Sequence, residues 1–106
     1  MKNQQKTLSV TAEIQIKDNV ILEDGLLAIQ QFCKDMNSEP GCLLAQAHQD
    51  TENPRKIRLW EIYEDAEAFQ AHFESAHTQA FFDKGITSLN WASESRPLPE
   101  AEGTNQ

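Results

Sequence analysis

Four side chains between positions 61 and 77 are of the types that move protons: Glu61, Tyr63, His72 and His77. Residues 57–63, IRLWEIY, alternate so that Ile57, Leu59, Glu61 and Tyr63 share one strand face and Arg58, Trp60 and Ile62 the other. A carboxylate set between leucine and tyrosine on an apolar face must be paired, hydrogen-bonded or protonated, because burying an unpartnered charge is costly. Two readings fit: a structural partner (Arg58 of a neighbouring subunit, or a backbone donor), or a carboxyl lining a mostly apolar cavity beside Tyr63. His72 and His77 follow in a helical pattern, His77 within the apolar stripe and His72 at its edge. Imidazole titrates near neutral pH and suits proton transfer, although a histidine in such a stripe is also a common packed core group.

Glu61, Tyr63, His72 and His77 are therefore the candidate catalytic residues. Trp60, Phe69, Phe73 and Trp91 are candidate walls of a substrate pocket, with core packing as the competing explanation. His48 stands apart from this group. Glu61, His72 and His77 would also compose the two-histidine, one-carboxylate ligand set of non-haem iron oxygenases. A five-residue separation, however, turns two side chains about 140° apart on a straight helix. No metal is expected unless that helix bends. The glycines are isolated at 25, 41, 85 and 103, so no Gly-rich phosphate loop exists, and neither a nucleophile elbow nor a Walker motif is present.

The elements that must hold these residues can be read from the hydrophobic period. Residues 7–17 alternate, with Leu8, Val10, Ala12, Ile14 and Ile16 on one face. Leu22, Leu26, Ile29, Cys33 and Met36 then step at helical spacing; Asp18-Asn19 is a plausible cap and Pro40-Gly41 a stop. Gly25 should weaken this helix by about 1 kcal/mol relative to alanine. Residues 42–49 read as a strand of ambiguous facing, 50–54 as a turn and 57–63 as the third strand. Asp65 can cap a second helix with Ala66, Phe69, Phe73, Ala76, His77 and Ala80 in its stripe. Ser75 to Thr78 is a candidate bend, and Gly85 a terminator. Residues 87–95 form the fourth strand, and the proline-containing tail from 96 to 106 reads as loose.

The order β-α-β-β-α-β is that of an α+β, ferredoxin-like split sheet with both helices on one face. One domain, residues 1–95, accounts for the chain. The uncovered sheet face would be a sticky surface, so a homodimer is expected. The chain has 106 residues, 17 acidic and 9 basic, for a net charge of −8. That charge opposes nucleic-acid and anionic-membrane partners. No apolar run approaches the roughly 18 residues of a membrane span, and MKNQQKTLSV lacks the apolar core of a secretory signal, so a cytoplasmic location is expected. In that compartment Cys33 and Cys42 remain thiols.

The blocks SVTAEIQIK, EPGCLLAQA (39–47) and LWEIYEDAEAFQAHFESAH (59–77) resemble the antibiotic biosynthesis monooxygenase domain family. The resemblance covers about residues 7–92 and is most specific in the third block. It implies a dimeric α+β barrel with a cavity in each subunit. In the quinol-monooxygenase-like branch it implies oxidation of an electron-rich phenol or quinol by O2 without metal, flavin or haem. His72 or His77 would be the base, Glu61 and Tyr63 would orient base and substrate, and Trp60 would form a wall. The haem-degrading branch resembles a tryptophan and a histidine ten residues apart. Here Gln70 stands ten after Trp60 and Phe82 ten after His72, which disfavours it. Two other readings compete: a proton-shuttling isomerase of a small phosphorylated hydroxyketone, and a non-catalytic dimer that binds a small molecule.

Overall fold

Residues 6–99 are described by a computed structural model of the chain. Strand β1 (Leu8–Ile16) is followed by helix α1 (Leu22–Asn37), strands β2 (Cys42–Gln49) and β3 (Lys56–Tyr63), helices α2 (Ala66–Glu74) and α3 (Ala76–Lys84), and strand β4 (Thr87–Ser95). The four strands form one antiparallel sheet in the order β2-β3-β1-β4. This is the expected ferredoxin-like α+β arrangement, with the second helix divided in two. Residues 96–99 carry no regular structure, and the remainder of the tail, 100–106, lies outside the described residues.

The alternation in β1 works as expected: Leu8, Val10, Ala12, Ile14 and Ile16 are all buried beneath the helices. Ile57, Leu59, Glu61 and Tyr63 of β3 face the same way and pair with them. The ambiguous facing of β2 has a physical cause. Cys42 pairs with Tyr63 but Leu44 with Ile62, so Leu43 is an extra residue, a bulge that lets Cys42 and Ala45 both reach the core. A second irregularity in the β1–β4 register makes Asn90 the extra residue between Leu89 and Trp91.

Helix α1 starts later than expected. Asp18 and Asn19 lie in a turn, and the N-cap position falls at Ile21 without a side-chain cap. Its far end is tied to the sheet by Asn37, whose amide donates to the carbonyl of Ala45 and accepts from the Ala45 N–H, both at 3.0 Å. Gly25, a weak helix former, is there because α1 crosses the end of β1 closely. A Cβ at that position would lie 2.8 Å from Ile16 Cγ2, and Ile16 is fully buried. The thiols of Cys33 and Cys42 are free, and burial pushes both up to about 11.

The opposite sheet face is uncovered. It carries Trp60 and Trp91, each 46% exposed, around a charged centre. There the Arg58 guanidinium donates to Glu13 Oε1 at 3.1 Å and to Asp50 Oδ1 at 2.6 Å, while the Asn90 amide donates to Glu13 Oε2 at 2.8 Å.

Replacing Gly25 by alanine should destabilise the fold despite the better helix propensity. Overpacking typically costs about 1–3 kcal/mol, against a gain of about 1 kcal/mol, so thermal or urea unfolding should show a net loss. A variant as stable as the parent would mean that α1 shifts freely off Ile16.

Candidate active site

The proton-transfer residues come together because the second helix breaks. Asp65 caps α2 by accepting from the Ala68 N–H at 2.8 Å. The helix ends at Ser75, whose extended backbone (φ −71°, ψ 150°) restarts the chain as α3. The restart resets the helical phase. In α2 Phe69, His72 and Phe73 turn toward the sheet; in α3 Thr78 and Phe81 do. The single stripe through Ala76, His77 and Ala80 is therefore not the inward one. His72 is buried, and His77 is only half-buried at the side of the helix pair.

The break also cancels the angular separation that five residues impose on a straight helix. Both imidazoles reach one carboxylate oxygen: His72 Nδ1 lies 2.9 Å and His77 Nε2 2.5 Å from Glu39 Oε2. Glu39 sits in the turn between α1 and β2, and Gly41 lets that turn approach α2. A Cβ on Gly41 would lie only 2.4 Å from the Cβ of Ala68. A carboxylate oxygen can only accept, so both facing ring nitrogens carry hydrogen. Thr78 Oγ1 lies 3.2 Å from the same His72 nitrogen, and Ser75 Oγ lies 2.8 Å from that hydroxyl. His72 Nε2 is left with its lone pair and no hydrogen bond from any described residue. It is an oriented base whose neighbouring carboxylate holds the tautomer, as a carboxylate does in a hydrolytic triad.

His72 lines a cavity of about 570 Å³ between sheet and helices. Val10, Ala12, Ile14 and Leu59 form its floor. Phe32, Phe69, Phe73, Phe81 and Phe82 form its aromatic walls; Phe32 and Phe81 stack at 4.2 Å between ring centroids. Thr87, Leu89, Ala92, Ser93 and Glu94 of β4 complete the lining. Among the lining residues none is a lysine or an arginine.

Glu61 is a second buried proton-bearing group on this surface. Its Oε1 accepts from the Tyr63 hydroxyl at 2.6 Å, and Oε2 has no hydrogen bond among the described residues. Burial raises the Glu61 pKa above its ordinary 4.5, outweighing the lowering by Tyr63 and His72; Glu39 adds to the rise. Tyr63 itself is fully buried, and burial together with Glu61 raises its phenol far above the ordinary range, so it remains a donor.

Of the expected site residues, the structure brings Glu61, His72, Phe69 and Phe73 to the cavity wall, with Tyr63 directly behind Glu61. His77 stands behind His72, across Glu39. Trp60 and Trp91 do not line the cavity: strand alternation sends both to the uncovered sheet face. Arg58 is on that face too and is engaged by Glu13 and Asp50, so it does not serve Glu61 within the chain. Glu39 is the residue that sequence reasoning passed over. It lay within the EPGC turn, where turn chemistry already accounted for the composition.

A raised pKa carries a stability consequence of definite sign. Above pH 4.5 the unfolded chain releases the Glu61 proton while the folded chain still holds it, so this group's contribution falls as pH rises. Glu61→Gln keeps an acceptor for Tyr63 and removes that penalty. Its melting temperature should gain on the parent's as pH rises above 4.5, and a gap that does not widen would place this carboxyl in the ordinary range.

Comparison with known proteins agrees with this fold. Residues 7–84 match the family described as antibiotic biosynthesis monooxygenase. YjcS of Bacillus subtilis (strain 168), an uncharacterised protein, is 30% identical over 82 residues, covering 77% of this chain and 78% of its own length. The solved YjcS structure superposes with a TM-score of 0.79 at 28% identity, over 87% of this chain and 99% of that one. A crystal structure of an antibiotic biosynthesis monooxygenase superposes with a TM-score of 0.77 at 19% identity (87% and 99% covered). A Bacteroides thetaiotaomicron protein described as a possible oxidoreductase reaches 0.76 at 13% identity (87% and 98% covered). The last two show the shared fold. With the match spanning all three helices and three of the four strands, the chain belongs to the antibiotic biosynthesis monooxygenase family.

Proposed function

We propose that the protein is a cofactor-independent monooxygenase that oxidises a small electron-rich phenol or quinol with O2, using His72 as the base. The observation that carries this reading is that His72 lines an aromatic-walled cavity with Nδ1 held by Glu39 and with no hydrogen bond to Nε2 among the described residues. His72 takes the hydroxyl proton of the substrate. The phenolate then passes one electron to O2, and the phenoxyl radical and superoxide combine at a ring carbon that bears hydrogen. The oxygen–oxygen bond of the resulting peroxide breaks as that carbon gives up its hydrogen to the outer oxygen and becomes a carbonyl. One oxygen stays in the quinone; the other leaves as hydroxide, which takes the proton back from His72 and departs as water. Glu61 offers its free Oε2 to a substrate oxygen, with Oε1 held by Tyr63. The apolar floor and phenylalanine walls suit a neutral ring, and the absence of lysine and arginine from the lining speaks against a phosphorylated hydroxyketone.

A second copy of the chain is the proposed cover for the uncovered sheet face. Two half-exposed tryptophans surrounding a hydrogen-bonded Glu13–Arg58–Asp50 centre support this: the mixture of aromatic anchors and arginine is typical of an interface core.

A positioned base contributes about 10²–10⁴-fold, so His72→Ala should lower the rate of oxygen uptake on a responsive quinol or hydroxynaphthoquinone by that order. His77→Ala, which acts only through Glu39, should cost less. Equal losses, or no uptake by the parent on any member of the panel, would count against the assignment. For the dimer, sedimentation at low micromolar concentration should give twice the 12.0 kDa chain mass; a monomer would overturn it.

A further inference from the structure

We propose that Glu39, His72 and His77 form a binding site for a divalent transition-metal ion, and that an ion bound there reverses the hydrogen-bonding sense of His72 in the cavity. The three residues come from separate segments: the turn after α1, the last turn of α2 and the first turn of α3. One ligand atom from each of Glu39, His72 and His77 lies within 4.8 Å of the other two. Donors at about 2.0–2.2 Å from a tetrahedral ion stand about 3.4 Å apart. The hydrogen-bonded distances of 2.9 and 2.5 Å therefore need to open by less than about 1 Å to admit an ion. Glu39 can give that distance, because its side chain is long and its Oε1 has no hydrogen bond among the described residues.

The donor set selects the ion. Two imidazoles and one carboxylate suit Zn²⁺, Co²⁺, Ni²⁺ or Fe²⁺, whereas Ca²⁺ and Mg²⁺ require more oxygen ligands. The site also has an approach from outside. The His77 side chain is 25% exposed, against 5% for His72 and 11% for Glu39. His77 also borders a shallow groove of about 140 Å³ between α1 and α3 that contains Asp35. A side wall is supplied by Thr78, whose hydroxyl lies 3.2 Å from His72 Nδ1.

Occupancy changes what His72 presents to the cavity. Without the ion, Nδ1 carries the hydrogen and Nε2 the lone pair. An ion takes the lone pair at Nδ1, so the ring hydrogen must sit on Nε2 and face the cavity as a donor. For two neutral imidazoles this is a change of tautomer with no net proton release. Binding and tautomer are both independent of the proposed oxidation, so either can be tested without a substrate.

The experiment uses the full tag-free chain, stripped of metal with a chelator and titrated with ZnCl₂ by calorimetry and with CoCl₂ by visible absorption. One ion per chain is expected, with the cobalt band of a low-coordinate nitrogen–oxygen site. Glu39→Gln and His77→Ala should each weaken zinc affinity tenfold or more, while His48→Ala on the uncovered sheet face should leave it unchanged. Long-range ¹H–¹⁵N spectra of the parent should show His72 Nε2 passing from unprotonated to protonated as zinc is added. Absence of saturable one-to-one binding, or equal affinity in the parent, Glu39→Gln and His77→Ala, would overturn the site. A His72 Nε2 signal that does not change at saturating zinc would overturn the tautomer reversal.

Discussion

A single carboxylate oxygen, Oε2 of Glu39, holds the functional half of this molecule in register. It accepts from His72 on one helix and His77 on the next, so it spans the break at Ser75 and ties both helices to the turn that leads into the sheet. Charge-assisted hydrogen bonds of this kind are the strong ones, and in a largely buried setting they specify geometry. The bulge at Leu43, the close approach at Gly41 and the cap at Asp65 all lie near this turn and serve to bring it against α2.

Two carboxylates, Glu39 and Glu61, differ in character because their partners and surroundings differ. Glu39 has imidazole donors and acts as an acceptor. Glu61 faces an apolar floor with one phenol donor, and its pKa rises. One thus orients a base while the other is pushed toward its neutral acid form. The thiols play no such part, since burial keeps both protonated.

Much of the fold was legible in the chain. Period-2 alternation placed Leu8 to Ile16 and Ile57 to Tyr63 on their inward face, and Asp65 and Gly85 bounded the second helical segment. The errors have local causes. Asp18-Asn19 looked like a cap, yet the chain completes a turn before α1 begins. The facing of β2 could not be read because a bulge interrupts its alternation. Trp60 was drawn toward the pocket by its neighbours Glu61 and Tyr63, although the same alternation that placed those two inward sends Trp60 outward.

For the site itself, residue type and strand period alone identified Glu61 as a buried carboxyl beside Tyr63, because a side chain's face follows from counting by two. Which histidine faces the cavity was beyond that reasoning. A helical stripe presumes continuous phase, and the break at Ser75 resets it, moving His72 inward and His77 aside. The carboxylate that orients them is 33 residues from His72 in the chain. Its role exists only once α1, the turn and α2 pack together. Local periodicity fixes the direction of a side chain within its own element; a hydrogen bond between elements depends on how those elements meet, and only the tertiary structure decides that.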